Sequence, residues 1–535
     1  MLETRVYGVI NRMANLVNLF VNDPGTEGVG LEQVAPPHGK SPFAIPGWMD
    51  AGGLFNPGTP EFQAGQLYVV LAQTYGAWAD FFGGDFGWQP GFVQLPIFPR
   101  AGKDFNAYYD RTGLKFFYDA AKVTGQTIHT CESGDIIAHE CGHAVLDSQH
   151  PEYWDSLLSE TGAFHEAFGH ISALLVALDN PRVRAMILTE NGGDLSESNT
   201  VTRLAEQLAR GLFGAGYADA VVSADALRDL ANKFRYRDPD KLPGRTTAAR
   251  LSSESHNFSR VFSGAFYDVL IGIYDQVRRG NAALSSDAAL AQARGDVGHL
   301  LARIDARPKR RCAVLFKTIA VAMLTAGQQK SAGKYFAMLK KAFVARRLLK
   351  GREADALRET AGAVHTQTSA RAGVASVPPA ARPTWELPTT RVDEDLPSGI
   401  RKWIPVPKTE FRLVAEPTRR EQGQVLHYAA PRQVAVRSDA LGVASSAMVT
   451  MADAVALQVD REGKVVSSHY HQADRGQEKR VRDHVAKLVA HKRVYEAKPG
   501  ERVEPAELIA QRKPYYIAYD EQGYKRIRRA FIACG

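Results

Sequence analysis

The chain is poor in cysteine. Four in 535 residues, Cys131, Cys141, Cys312 and Cys534, form no Cys-x-x-Cys pair. That excludes a disulfide framework and a thiolate metal knuckle and makes reduced, structural thiols the expectation. A signal-peptide pattern is also missing: the stretch Met1 to Asp23 carries Arg5 and Arg12 but only broken apolar runs and no small-residue cleavage site. No run is long enough to span a bilayer, since the most apolar stretch, Cys312 to Gly327, is short and contains Lys317. Internal repeats of useful strength are absent. What remains is an ordinary globular composition, 45% hydrophobic and 23% charged, in a chain long enough for roughly two to four domains. The net charge of +8 is unevenly placed: residues 401–535 hold 25 Lys and Arg against 16 Asp and Glu, which leaves −1 for the first 400. A basic partner-binding surface would belong to the C-terminal part, although a solvated basic face is the plainer reading.

The N-terminal stretch begins with helical spacing (Val6, Ile10, Met13, Leu16, Phe20) and then becomes rich in Gly and Pro. Gln63 to Phe82 reads as a helix, and Leu114 to Tyr118 as strand. Ser133 can cap a helix that stops before Pro151, with Asp135 in its first turn. A second helix runs from about Thr161 to Asp179 and is interrupted by Asn180-Pro181. Further amphipathic helices are expected over Val201–Phe213, Ala224–Phe234, Phe258–Arg278, Asp287–Ile304, Lys309–Ala326 and Ala332–Arg358. Between Thr366 and Gly399 the composition turns to Ala, Thr, Ser and Pro, the clearest linker in the chain. Beyond it, Val455–Val459 with Val465–Ser468 reads as a hairpin, Gln477–Ala490 as a helix, and Tyr515–Tyr519 with Tyr524–Ile532 as a second hairpin. Four parts follow: 1–150, 151–360, the linker 361–400, and a basic α+β module over 401–535.

Chemistry concentrates in Asp135-Ile136-Ile137-Ala138-His139-Glu140-Cys141-Gly142-His143-Ala144-Val145-Leu146-Asp147. On a helix, residues four apart share a face, so His139 and His143 can aim ring nitrogens at one metal ion, with Glu140 beside them. A zinc hydrolase needs a third protein ligand. The second helix offers Glu160-Thr161-Gly162-Ala163-Phe164-His165-Glu166-Ala167-Phe168-Gly169-His170.

Here the chain resembles the thermolysin-like zinc metallopeptidases (gluzincins: His-Glu-x-x-His plus a downstream Glu), whose second zinc helix carries Glu-(Ser/Thr)-Gly-Ala-x-x-Glu-Ala. The resemblance covers roughly residues 60–345 and makes Glu166 the third ligand, with Glu160 as competitor. Three further islands are similar and in order. Asn106-Ala107-Tyr108-Tyr109 looks like the segment whose Asn side chain and Ala carbonyl bind substrate backbone. Leu227-Arg228, followed by Asp238-Pro239-Asp240, looks like the substrate-carbonyl arginine segment. His256, with Ser259 and Ala265-Phe266-Tyr267, falls where the oxyanion-stabilising histidine lies. The implied fold is α+β, a two-lobed catalytic unit with a mixed β/α N-terminal lobe, a helical C-terminal lobe and the zinc helix at the cleft.

The departures are specific. The transition-state tyrosine position, nine residues before Glu166, is Leu157, with Tyr153 the nearest substitute. The carboxylate that orients the oxyanion histidine is replaced by Leu251, with Glu254 nearby. The carboxylate that orients a zinc histidine is His170. Of two calcium carboxylates Asp135 is retained and the other is Ala177, which leaves structural calcium doubtful.

The resemblance implies a Zn2+-dependent endopeptidase acting on peptides or proteins, with His139, His143 and Glu166 on the metal and Glu140 as base. His256 would stabilise the oxyanion, and Asn106, Ala107 and Arg228 would hold substrate. Ile136 and Leu227 would line an apolar pocket for the residue after the scissile bond. The alternative is a catalytically weak or silent member that binds peptides or proteins. A zinc aminopeptidase is weaker, because its Gly-x-Met-Glu-Asn segment is missing. The plain readings are a chance polar helix face for the pentad, a surface carboxylate for Glu166, a helix-start histidine for His256, a salt-bridge arginine for Arg228 and a turn residue for Asn106. His469-x-His471 reads as a surface hairpin rather than a metal site. No nucleic acid or membrane partner is expected. Only 138 residues precede His139, too few for a separate pro-domain ahead of the catalytic unit, so a cytoplasmic protein is expected, with non-classical secretion left open. The C-terminal module could restrain such a protease by covering the cleft, or bind a partner.

Overall fold

The structure is a computed structural model. It describes residues 16–358, apart from 304–314 and a few short loop segments, and most of 412–533. The proposed linker over 366–399 and the first turns of the N-terminal helical pattern lie outside the described residues. Described residues 17–20 of that pattern are not helical: β1 (Val17–Phe20) pairs antiparallel with β2 (Leu31–Val34). Val17 and Leu19, which were not part of the helical spacing, are the buried residues of the strand.

β3 (Phe43–Ala44) leads to α1 (Pro60–Phe82), which has the local signals of a helix at both ends. Thr59 accepts from the Phe62 N–H, Pro60 sits in the first turn, and Gly83 closes it at φ 77°. Then come β4 (Leu95–Phe98), β5 (Ala107–Tyr109), β6 (Leu114–Phe116), β7 (Tyr118–Ala120) and β8 (Thr127–His129).

Two buried helices form the centre of the molecule, α2 (Gly134–Gln149) and α3 (Ser159–Ala177). Ser133 caps α2 by accepting from the Ile136 N–H, as the sequence indicates. Their close approach depends on two glycines. A Cβ on Gly142 would lie 2.6 Å from Ser172 Oγ and 3.1 Å from Gly169 Cα, and one on Gly169 would lie 2.7 Å from the His139 ring. Trp78 of α1 locks the pair, stacked at 4.2 Å on Phe168 and donating its indole N–H to Ser172 Oγ at 3.0 Å. Gly169→Ala is therefore expected to displace His139, weakening metal affinity by about 10–100-fold and stability by about 1–3 kcal/mol. Metal titration and a melting curve check it.

α4 (Pro181–Ile187) starts at Asn180, whose side chain accepts from two backbone N–H groups. β9 (Arg203–Leu204), α5 (Glu206–Gly214) and β10 (Arg228–Asp229) follow. Two helix expectations fail here. The first helix begins only at Glu206, because 203–204 pair with β10 and Ala205 adopts φ 53°. Residues 225–234, the described part of the helix expected over Ala224–Phe234, form no helix: the Leu227 N–H donates to Leu204 O and the Leu230 N–H to Thr202 O. Backbone partners two dozen residues away outcompete a weak local periodicity. α6 (Ser255–Gly280), α7 (Ser286–Leu301), α8 (Leu315–Lys330) and α9 (Phe336–Ala345) follow. Residues 351–358 are helical too, so the single helix expected over Ala332–Arg358 is broken by a turn after Ala345. Among the described residues, no helix is long and apolar enough to cross a membrane.

The C-terminal part holds β11 (Arg412–Leu413), β12 (Thr418–Arg420), β13 (Gly423–Arg437), β14 (Ser446–Val459), β15 (Val465–His471), α10 (Arg475–Ala490), β16 (Val494–Glu496), β17 (Tyr515–Tyr519), β18 (Lys525–Arg529) and β19 (Ile532–Ala533). The main sheet runs β11-β13-β14-β18-β17-β16, with β15 beside β14. Both expected hairpins and the expected helix are there. The long β13–β14 pair, in register from Gln424↔Val459 to Arg437↔Ser446, was not foreseen. α10 covers the sheet with Val481 and Val485. β19 leaves this sheet and joins another, in the order β19-β5-β6-β4-β3. The class is α+β, as the sequence indicates.

Candidate metal and catalytic site

Capping at Ser133 sets the phase of α2, so His139 and His143 come round to one face. Their rings are 4.6 Å apart and nearly perpendicular. The ligand atoms of His139, Glu140 and His143 all lie within 4.8 Å of one another, and all three residues are buried. This group can hold a metal ion. From α3, Glu166 reaches the same place, its Oε2 3.5 Å from His139 Nε2. Glu160, the competing carboxylate, is committed elsewhere: it accepts from the Tyr236 hydroxyl and from the Phe316 N–H.

The donor set fits a cation. His139 Nε2, both nitrogens of His143, both oxygens of Glu140 and Glu166 Oε2 are buried and have no hydrogen-bond partner among the described residues. Buried polar atoms without partners are costly, so several of them around one point indicate a missing ligand. Burial, and then Glu166 nearby, push the Glu140 carboxyl well above the usual range. Burial, with His139 next, pushes His143 well below. A dication among these side chains would reverse the direction for Glu140 and reinforce that for His143, favouring carboxylate and neutral imidazole alike.

His256 stands in the first turn of α6, with Nε2 3.5 Å from Glu166 Oε2 and Nδ1 2.7 Å from Glu254 Oε1. The position expected to orient it, Leu251, is buried and apolar. Glu254 does so instead, and as the N-cap of α6 it also accepts from the Asn257 N–H, which pins it. Burial opposes charge on His256, but Glu166 and Glu254 outweigh it and raise the imidazole to about 9. Burial likewise opposes ionisation of Glu254, whose side chain keeps 30% exposure. His256, with Arg493 and Arg228 beyond, holds that carboxyl below its ordinary range. Because the folded His256 titrates above its unfolded value, its stabilising charge in metal-free protein is fully present below about pH 6.5 and is lost as pH rises towards 9. Glu254→Gln should shift the His256 titration downwards and narrow that window. Histidine proton NMR on the metal-free protein reads it.

Asn106 lies just before β5, with its Oδ1 accepting from the Ala107 N–H at 2.9 Å. Arg228 sits on β10. Asn106, Arg228, Glu166 and His256 all face one cavity of about 280 Å³. Ala107 is fully buried in β5, and Ile136 and Leu227 are buried as well. None of these three is among the described residues lining the cavity. Apolar lining comes instead from Phe105, Leu212, Val222, Leu488, Phe531 and Ile532.

Leu157 does not face the site. It packs with Val434, Val449, Val485 and Ile517 in the core of the C-terminal module. Tyr153 stacks on His150 and meets Phe164 edge-on, and it is not among the described cavity residues. His170 lies 5.1 Å, centre to centre, from the His139 ring. His165, overlooked in the sequence, lies 6.0 Å from the His143 ring. Each of these two imidazoles thus has a second imidazole near it, supplied by α3. Asp135 is buried against Asp23 and Glu206, two carboxylates with no sequence proximity to it. Burial, then Asp23, raise the Asp135 carboxyl.

The sequence reading raised the module as a cover for the cleft and placed the excess positive charge there, but named none of its cavity residues: His484, Lys487, His491, Arg493 and Arg529 are among those lining it. No protein-family model matches the chain, and no curated protein matches it.

Proposed function

We propose that the chain is a zinc-dependent metalloendopeptidase of thermolysin-like kind, with His139, His143 and Glu166 as ligands. What carries the reading is one convergence: two imidazoles and two carboxylates from α2 and α3, buried together with partnerless ligand atoms. Tetrahedral nitrogen and oxygen ligation suits zinc, which supplies Lewis-acid polarisation when bound. Glu140 then takes a proton from the attacking water and passes it to the leaving amine. His256, oriented by Glu254, donates its Nε2–H to the developing oxyanion. Asn106 and Arg228 hold the peptide backbone across the cavity.

A second reading, a peptide-binding protein with little turnover, is favoured by one observation. The position of the expected transition-state tyrosine is occupied by Leu157, inside the module core. Losing an oxyanion donor costs about 10²–10³ in turnover. Metal analysis paired with cleavage of a diverse peptide library separates the two. One zinc per chain with library cleavage supports the peptidase, and one zinc with no cleavage supports the binder.

A further inference from the structure

β5 has two sides. One pairs with β6, and the other, along the cavity, pairs antiparallel with β19 at Ile532↔Tyr109 and Ala533↔Tyr108. Phe531 and Ile532 line the same cavity as Asn106, Glu166 and His256. The segment is well seated: the Ala530 N–H donates to Pro514 O at 2.9 Å, the Phe531 ring lies 5.4 Å from Tyr108, and Ile532 is 3% exposed. It is delivered by a module clamped to the rest of the chain. Arg529 donates to the carbonyls of Trp154 and Ser156, and the Lys487 ammonium donates to those of Pro239, Asp240 and Leu242. Glu140 is completely buried.

A strand edge beside a reactive cavity is where an extended peptide adds, using main-chain hydrogen bonds for affinity and pockets for alternate side chains. One edge takes one partner, because its N–H and C=O groups are then used. From this geometry we infer that β19 is a resident mimic of the substrate. It fills the β5 edge, and an extended peptide with large apolar side chains must displace it to reach Glu140. The naming of that peptide as substrate rests on the peptidase reading; the competition for the edge does not.

The test keeps the full chain and separates binding from hydrolysis. In a Glu140→Gln background with Cys534→Ser, Tyr108→Cys and Ala533→Cys face each other across the β5–β19 pair and can form a disulfide. A fluorescent peptide Arg-Ala-Phe-Ile-Ala, the sequence of 529–533, is the probe. The oxidised, locked form is expected to bind it at least about tenfold more weakly than the same protein reduced, because apparent affinity scales with the fraction of open edge. Ile532→Pro, which removes a strand N–H, is expected to bind the probe at least about tenfold more tightly than the Glu140→Gln parent. Equal binding in locked and reduced forms overturns the proposal. So does failure of the two cysteines to oxidise, or an Ile532→Pro variant that keeps its melting temperature and gains nothing. If binding responds as expected but the Glu140 enzyme carrying Ile532→Pro cleaves no peptide, the competition stands and the peptidase reading falls.

Discussion

Glu140→Gln is expected to remove peptide hydrolysis, by about 10³-fold or more, while leaving one metal ion per chain. The amide keeps the shape and volume of the side chain, so the close packing of α2 on α3 is undisturbed. It cannot accept a proton from water, and general acid–base work of this kind is worth about 10²–10⁴-fold. His139, His143 and Glu166 are untouched, so metal content should not change. The Glu140 carboxyl is fully buried beside Glu166. The metal-free variant is therefore expected to be slightly more stable than the wild type at neutral pH, since one buried acid is gone. Initial rates on a quenched fluorescent peptide, metal analysis and a melting curve together check this. Hydrolysis at the wild-type rate would remove Glu140 from the mechanism.

Glu166→Ala should lose the metal, and Glu160→Ala should not. The two carboxylates lie six residues apart on α3, and both are nine-tenths or more buried. Of the two, Glu166 has an oxygen near His139 Nε2, and that oxygen has no hydrogen-bond partner among the described residues. Removing one of three protein ligands from a zinc site takes away a full coordination bond and a negative charge that helps neutralise the ion. Metal content after dialysis is expected to fall below about a tenth of a mole per mole, given that second-sphere losses alone already cost 10–100-fold in affinity. Glu160→Ala instead deprives the Tyr236 hydroxyl and the Phe316 N–H of an acceptor. Leaving such groups unpaired costs about 1–3 kcal/mol each, so that variant should melt earlier with its metal retained. Reversed outcomes would show that Glu160 is the ligand.

Several features were legible because their causes are local. The Ser133 cap, the four-residue spacing of the histidines and the Asn180-Pro181 break all act within a turn or two of helix, and each is found where the residues place it. The departures from the resembled family were visible as letters, but their meaning was not. Glu254 was named as a nearby substitute for the carboxylate lost at Leu251, but only the structure shows that it occupies the His256 Nδ1 position, where the cap of α6 holds it. The expected helix over 224–234 failed for the opposite reason, since its backbone groups found partners on a strand distant in sequence.

By itself, then, the sequence determined which face of α2 bears the imidazoles, which follows from helix periodicity and capping, whose range is a few residues. Glu166 and the α+β class were implied by the resemblance. Only the tertiary structure decided that Gly142 meets Gly169, that Leu157 belongs to the module rather than to the site, and that β19 lies on the edge of β5. Each of those joins residues separated by tens to hundreds of positions. Which of many compatible apolar surfaces and strand edges pair is settled by packing of the whole chain, not by any short stretch of it.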